Sequence, residues 1–443
     1  MSEPPRPPVD VSARRRRDVL AALRRGTVPE SGLDLLAVGL DRFDAALDEE
    51  LDTVATGGAV FKAIRGEYGA GKTFFTRHLA ERAARRGFAT AEVQISETQT
   101  PLHRLETVYR RITESLRTAS VTPSAFRPII DSWLYGLEEE AIEADPALAE
   151  DGDALSQAVG ILMESRLRGV SQRSPLFAQA LRGYQRATME GDAATAEGLA
   201  AWMAGQPQVG ASAKRAAGIR GDLDHFGAMA FLEGLLVVLR DAGHPGLLLV
   251  LDEVETLQRV RGDVRDKALN ALRQLVDEID AGRFPGLYLV ITGTPAFFDG
   301  PSGVPRLPPL AGRLATDFST DARFDNPRAI QVRLPGFTPE SLVELGCRVR
   351  DLHGQGSARV AAVDDDYLRA LAYAVTGQLG GKVGIAPRLY LKKLVADVLD
   401  RVEQFDDFDP RVHYALTVGS GEMTPEESVA AGATTVDDID LDL

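Results

Sequence analysis

A parallel α/β core, split by a long helical insertion and followed by a helical module, is the fold class this 443-residue sequence predicts. Three observations carry it. Short apolar strand patterns alternate with amphipathic helical ones at the front and through the middle, which is how a parallel sheet covered by helices reads. One strand pattern runs directly into a glycine-rich turn and then a helix. A continuous apolar run, Leu247–Leu251, has the composition of a strand buried on both faces.

Taken in order, residues 1–12 are Pro-rich and are expected to be disordered. A helix is expected from Ala13 to Arg25, with Ser12 as its N-cap and Gly26 just past its end. A second helix, about Asp41–Thr53, repeats Leu40, Phe43, Leu47 and Leu51 at helical spacing. Ala59–Arg65 is a strand, Phe74–Arg86 a helix and Phe88–Ser96 the next strand. From Thr100 to Leu239 the pattern is almost wholly helical, with breaks at Pro123, Pro128, Pro146, Pro175 and Pro207. Gly205–Gly221 is polar and Gly-rich and reads as a loop. After Leu247–Leu251 come a helix, Asp266–Ala281, and a strand, Leu287–Thr292. The Gly- and Pro-rich stretch Pro295–Pro327 reads as irregular, Ile330–Leu334 as one further strand, and Thr338 to Leu416 as helical. The expected division is a disordered start at 1–12, helices and the first part of the core at 13–99, the insertion at 100–240, the second part of the core at 241–336, a helical lid at 337–416 and an acidic disordered tail at 417–443.

Composition narrows the function classes. No run of about 18 apolar residues exists, so no membrane-spanning helix is expected. The arginines near the start have no apolar segment after them, so no secretory signal is read there and a cytoplasmic location is expected. Cys347 is the single cysteine, which excludes a disulfide within the chain, and it reads as a small buried hydrophobe. The six histidines lack metal-ligand spacing. A net charge of −15 makes DNA binding over the whole surface a poor expectation. The charge is uneven, with Arg14–Arg17 and Arg24–Arg25 at the front and seven carboxylates without Lys or Arg from Thr417 to Leu443. Solvated or disordered ends are the plain reading of both. A local nucleic-acid contact at the front and a docking tail at the back are the functional one.

The chemistry concentrates at Gly66-Glu67-Tyr68-Gly69-Ala70-Gly71-Lys72-Thr73, a full GxxxxGK[ST] match with a strand before it and a helix after it. This is the P-loop NTPase arrangement, and the reading includes Phe74 as a flanking contact. Its backbone N–H groups wrap a phosphate, and the following helix turns its positive end toward the same anion. Lys72 reaches the β- and γ-phosphates of ATP, and Thr73 offers a hydroxyl to Mg2+. Leu247–Leu251 ends in Asp252-Glu253. Asp252 is expected to hold the metal, and Glu253 to polarise the attacking water. Glu255 is either a supporting acid or a solvated helix residue, and the latter is favoured. At the end of strand Leu287–Thr292, Thr292 is the candidate γ-phosphate sensor, with Thr294 in reserve. A simple strand-end turn at Gly293 is the alternative. Arg388, after Pro387, sits where lid modules of ATPases related to replication initiators carry a phosphate-contacting arginine. A structural salt bridge is the alternative. Arg313 is a candidate to act in trans on a neighbour's nucleotide in an ATP-dependent homo-oligomer, with Arg323 and Arg328 weaker.

Several stretches together carry a family resemblance. They are GEYGAGKTFF (66–75), SETQTPLHRLETVYR (96–110), LLLVLDEVETL (247–257), ITGTPAFF (291–298), NPRAIQVRLPGF (326–337) and APRLYLKKLV (386–395), with GLAAWMAGQP (198–207) in the insertion. The chain resembles the P-loop ATP-binding proteins of BREX phage-defence systems, particularly the smaller BrxD type, over most of residues 14–400. The TPLHR- and NPR-type stretches are its specific part, and the tail after Thr417 has no counterpart. The resemblance implies an AAA-like (AAA/ASCE-like) ATPase that loads or gates a DNA-acting machine, associated with an Lhr-like helicase and other defence components.

Two functions therefore compete: an ATP-hydrolysing motor or loader acting on a partner or DNA, and a non-hydrolysing, nucleotide-gated scaffold that docks a helicase. Glu253 favours the first, because a scaffold needs no polarising carboxylate. A small-molecule kinase is weaker, since the sequence offers no substrate pocket. The basic helix around Arg14–Arg25 and the pair Lys392-Lys393 are the candidate DNA contacts, with no convincing DNA-binding motif beside them.

Overall fold

A computed structural model describes residues 11–355, 357–379 and 387–423. Most of the Pro-rich start, residues 384–386 before Pro387, and the acidic tail from residue 424 lie outside the described residues. The core is a five-stranded sheet in the order β2-β3-β4-β1-β5. Its strands are β1 (Val60–Arg65), β2 (Ala89–Gln94), β3 (Leu247–Asp252), β4 (Leu287–Gly293) and β5 (Gln331–Arg333). Every pairing is parallel. β3 and β4 are buried at every position, which is why Leu247–Leu251 lacks the alternation of a half-solvated strand.

Alternate residues of the strands feed two layers. Ile64, Leu248, Val250, Tyr288 and Val290 pack on α2 (Asp41–Ala55) and α3 (Lys72–Arg85), through Phe43, Leu47, Leu51, Phe75 and Leu79. Phe61, Ala63, Leu249, Leu251, Leu289 and Ile291 face the other way, onto the helix Gly262–Asp280 and the insertion. The insertion shares one continuous core with the sheet. At its centre Phe231 meets Tyr109, Phe177 and Trp202 edge-on, with ring centroids 5.8, 5.2 and 5.3 Å away, a geometry that suits the aromatic quadrupole.

Two stretches expected to lack structure contain helices. Within Gly205–Gly221 a helix forms at Ala211–Ala216. Its Ala213 packs against Gly198, where an added Cβ would come within 2.6 Å. Helix formers between flanking glycines thus gain their stability from close tertiary packing, which composition does not reveal. Within Pro295–Pro327, helices occur at Pro295–Asp299 and Pro308–Leu314, and a tighter turn at Val304–Arg306. In both helices proline occupies the start, where its fixed φ fits and no N–H is needed.

The C-terminal module has its own core of Leu342, Leu345, Val349, Leu371, Val375, Leu389, Tyr390, Leu394 and Val398. α1 (Ala13–Arg25) joins this core through Val19, Leu20 and Leu23, from more than 300 residues upstream. Its ends are as the sequence reads them. Ser12 accepts from the Arg15 N–H at 3.3 Å, and Gly26 closes the helix at φ 70. Arg24 fixes α1 to the module by a two-pronged bond to Asp400, at 2.6 and 2.7 Å. Cys347 is only partly buried. Its thiol donates to Asp365 at 3.3 Å, and burial first, then Asp365, push its pKa up to about 12.

Candidate functional site

The registers of the sheet decide what meets at its carboxyl edge. Arg65 lies opposite Gly293, and Gln94 lies opposite Asp252. The glycine turn, the Thr292 strand end, the acidic pair and Gln94 therefore emerge side by side. In open parallel sheets this edge is where ligands bind.

The turn from β1 to α3 bends through Gly69 (φ 78) and Gly71 (φ 86). These are conformations that an L side chain rarely adopts. An added Cβ at Gly66 would stand 3.1 Å from that of Ala70, so the turn is tight. α3 begins at Lys72, and its free N–H groups face the concavity. Lys72 is folded back into it. Its ammonium donates to the carbonyls of Gly66 (2.9 Å) and Glu67 (3.4 Å), and lies 5.1 Å from the Tyr68 ring centroid. Phe74 stacks on His78 and packs against the C-terminal core.

Across the sheet edge, Asp252 is 5% exposed. Its Oδ2 accepts the Thr73 hydroxyl at 3.2 Å and its Oδ1 accepts the Thr292 hydroxyl. Glu253 has φ 60 and ψ 42, left-handed backbone unusual for a glutamate. Its N–H donates to Asp252 Oδ1 and to Thr292 Oγ1, both at 3.1 Å. The Glu253 carboxylate accepts the Gln94 side-chain amide at 2.9 Å. Such backbone strain costs roughly 1–3 kcal/mol and persists where the surroundings fix it. Thr292 thus acts as a brace between the two acids. Thr294 is buried and starts the helix Pro295–Asp299 without capping it by its side chain. Thr73 and Asp252 are two hard oxygen donors in one place, and could hold a divalent cation together with phosphate and water oxygens.

Glu255 is a correction. Favoured as a solvated helix residue, it is 4% exposed, because the tight turn Val254–Gln258 folds it beneath the cradle. It stands 3.7 Å from the Lys72 ammonium. Burial raises its pKa, Lys72 opposes that rise, and Asp252 and Glu253 add to it.

A cavity of about 490 Å³ extends from the glycine turn between the 27–40 segment and the C-terminal module. Lys72, Thr73, Asp252, Glu253 and Glu255 line one end, while Leu36, Val38, Phe337, Leu345 and Leu391 line an apolar remainder. Arg388 reaches this cavity from the module and donates to the Glu422 carbonyl. Arg313 stands elsewhere, bonded to Asp277 (3.0 Å) and Asp280 (2.7 Å). Arg323 pairs with Asp321, and Arg328 with Glu49.

Several of the candidate DNA contacts are engaged in ion pairs, while Arg14, Arg17 and Arg25 are exposed. Arg15 bonds Asp34 and Glu81, Arg24 bonds Asp400, and Lys392 and Lys393 both bond Glu422, with Lys393 buried. Sequence reasoning missed Gln94 and the apolar wall. A polar residue ending the strand before the insertion was the available signal for Gln94. The wall joins segments 300 residues apart, for which no local signal exists.

A family model described as "BREX system ATP-binding protein BrxC/D" matches residues 11–418. Among curated proteins no match is found.

Proposed function

We propose, for a chain that belongs to the BREX system ATP-binding protein BrxC/D family and so has a role in BREX phage defence, the function of an AAA-like P-loop ATPase that hydrolyses ATP. One observation carries this reading. Thr73, at the start of the helix that follows the glycine turn, donates to Asp252 at 3.2 Å, and Glu253 stands beside them. The strand order, with β4 between the strand of the turn and the strand of the acids, agrees with an ASCE-type sheet.

In this reading the turn's N–H groups and Lys72 hold the triphosphate, while the apolar wall takes the base. Thr73 and Asp252 would hold a magnesium ion, which would supply charge neutralisation to the phosphate chain. Glu253 accepts a proton from the attacking water. The strained backbone, whose N–H donates to Thr292, aims that carboxylate, and Gln94 restrains it. Arg388 meets phosphate oxygens from the module side.

The measurement is phosphate release by the full chain, with and without duplex DNA, comparing Glu253→Gln. The expected loss is about 10²- to 10⁴-fold, the usual contribution of a positioned base, with ATP binding retained. Equal, slow release by both proteins under every condition would instead support the nucleotide-gated scaffold. Coupling to a helicase partner or to DNA is part of the proposal, as is a cytoplasmic setting. Among the described residues no helix is long and apolar enough to cross a membrane. A role for Arg313 in trans requires a nucleotide-dependent homo-oligomer in which a neighbour draws it from Asp277 and Asp280.

A further inference from the structure

Glu255 is buried in the ligand chamber, yet neither of its carboxylate oxygens is hydrogen-bonded to another of the described residues. Buried carboxylates are normally hydrogen-bonded as well as paired with a cation. The nearest cation is Lys72, 3.7 Å away and outside hydrogen-bonding distance. Lys72 in turn spends donors on two carbonyls of its own turn. The lysine is thus drawn inward by three oxygen-bearing groups, into the concavity that the phosphate reading assigns to an anion.

We propose that Glu255 is a positioning residue that competes with phosphate for Lys72 and so weakens the grip on phosphate. This rests on the nucleotide reading of the same site. An incoming phosphate must take Lys72 from Glu255, and it then shares a poorly solvated chamber with a carboxylate of like charge. Both effects oppose binding of the phosphate chain and leave the base and ribose untouched. Glu255 therefore sets how readily nucleotide leaves, and the site exchanges ADP faster than its cradle alone would allow.

The test is equilibrium binding without turnover. A fluorescent ADP is titrated into the full chain, and ADP and adenosine compete with it. Glu255→Gln keeps the shape and removes the charge. ADP should bind about tenfold tighter, because a like charge near the phosphate chain is removed. Adenosine affinity should not change. Glu255→Met, which fills the same volume with apolar atoms, should behave alike and covers the case in which the glutamine variant fails to fold. Unchanged or weaker ADP binding in a folded variant overturns the proposal. So does an equal shift for ADP and adenosine, the mark of a structural disturbance. If the wild type binds ADP and the variants bind no tighter, this inference alone is lost. If the wild type binds no adenine nucleotide, the nucleotide reading falls with it.

Discussion

The two walls of the ligand cavity are built by opposite means. The sheet wall, from Tyr68 to Thr73 with Asp252, Glu253 and Glu255, is largely polar, locally encoded and strained at Glu253. The module wall, with Leu345, Leu391 and Arg388, is largely apolar and is assembled from the two ends of the chain by α1 packing on the C-terminal core. The proposed chemistry lies on the first. Enclosure resides on the second, which is held by packing and by the Arg24–Asp400 contact. The difference teaches that the reacting groups can be fixed by a rigid sheet while the cavity's closure depends on an interface that can loosen separately.

The largest expected effect breaks the module wall. Leu23 is 4% exposed and packs in the C-terminal core. Leu23→Ala should destabilise the protein by about 2–5 kcal/mol, the range for buried leucine truncation, and weaken ATP binding with it. Chemical denaturation and nucleotide titration check this. An unchanged midpoint would mean that α1 does not belong to that wall. A smaller effect sharpens the sheet wall. Asp252→Asn should raise the magnesium concentration needed for ATP binding by about 10- to 100-fold, the usual consequence of disturbing a metal site's supporting carboxylate. Stability should change little. A magnesium requirement equal to wild type would remove Asp252 from the metal.

The unequal legibility of the two walls follows from the same contrast. The glycine turn, the helix after it and the apolar strand with its acidic end are contiguous in sequence, so type and spacing revealed them. Gln94 was passed over because its partner Glu253 lies 159 positions away and is reached through the β2–β3 register. Glu255 was misjudged because charge at a helix start normally means solvent, whereas this turn folds inward. Arg388 was picked out as an arginine after proline, and its bond to the Glu422 carbonyl needed the fold. Ala211–Ala216 was missed because its order comes from neighbours and not from propensity. The basic residues near the start read as a solvated helix face or, alternatively, a nucleic-acid contact, while Arg15 and Arg24 serve packing by pairing with acids 19 and 376 positions away.

The smallest effect concerns the contact that fastens the module wall. Asp400 takes two bonds from Arg24 and one from His353 Nε2 at 2.8 Å. Burial alone would raise its pKa, but the bonds from Arg24 and His353 outweigh burial and bring it down to about 2. A carboxylate whose pKa is depressed by folding stabilises the native state above its unfolded pKa, near 3.8, and loses that contribution as pH falls through the folded value. The stabilisation is therefore complete at neutral pH and fades between about pH 4 and about pH 2. Asp400→Asn should lower stability at neutral pH by about 1 kcal/mol, reduced from the usual charged hydrogen bond because the pair is partly open to water. Denaturant titrations at a series of pH values should find the gap between variant and wild type constant down to about pH 5 and narrowing below about pH 4. A gap that stays the same across that range would assign the loss to altered packing, and would leave the ion pair no part in holding α1 against the module.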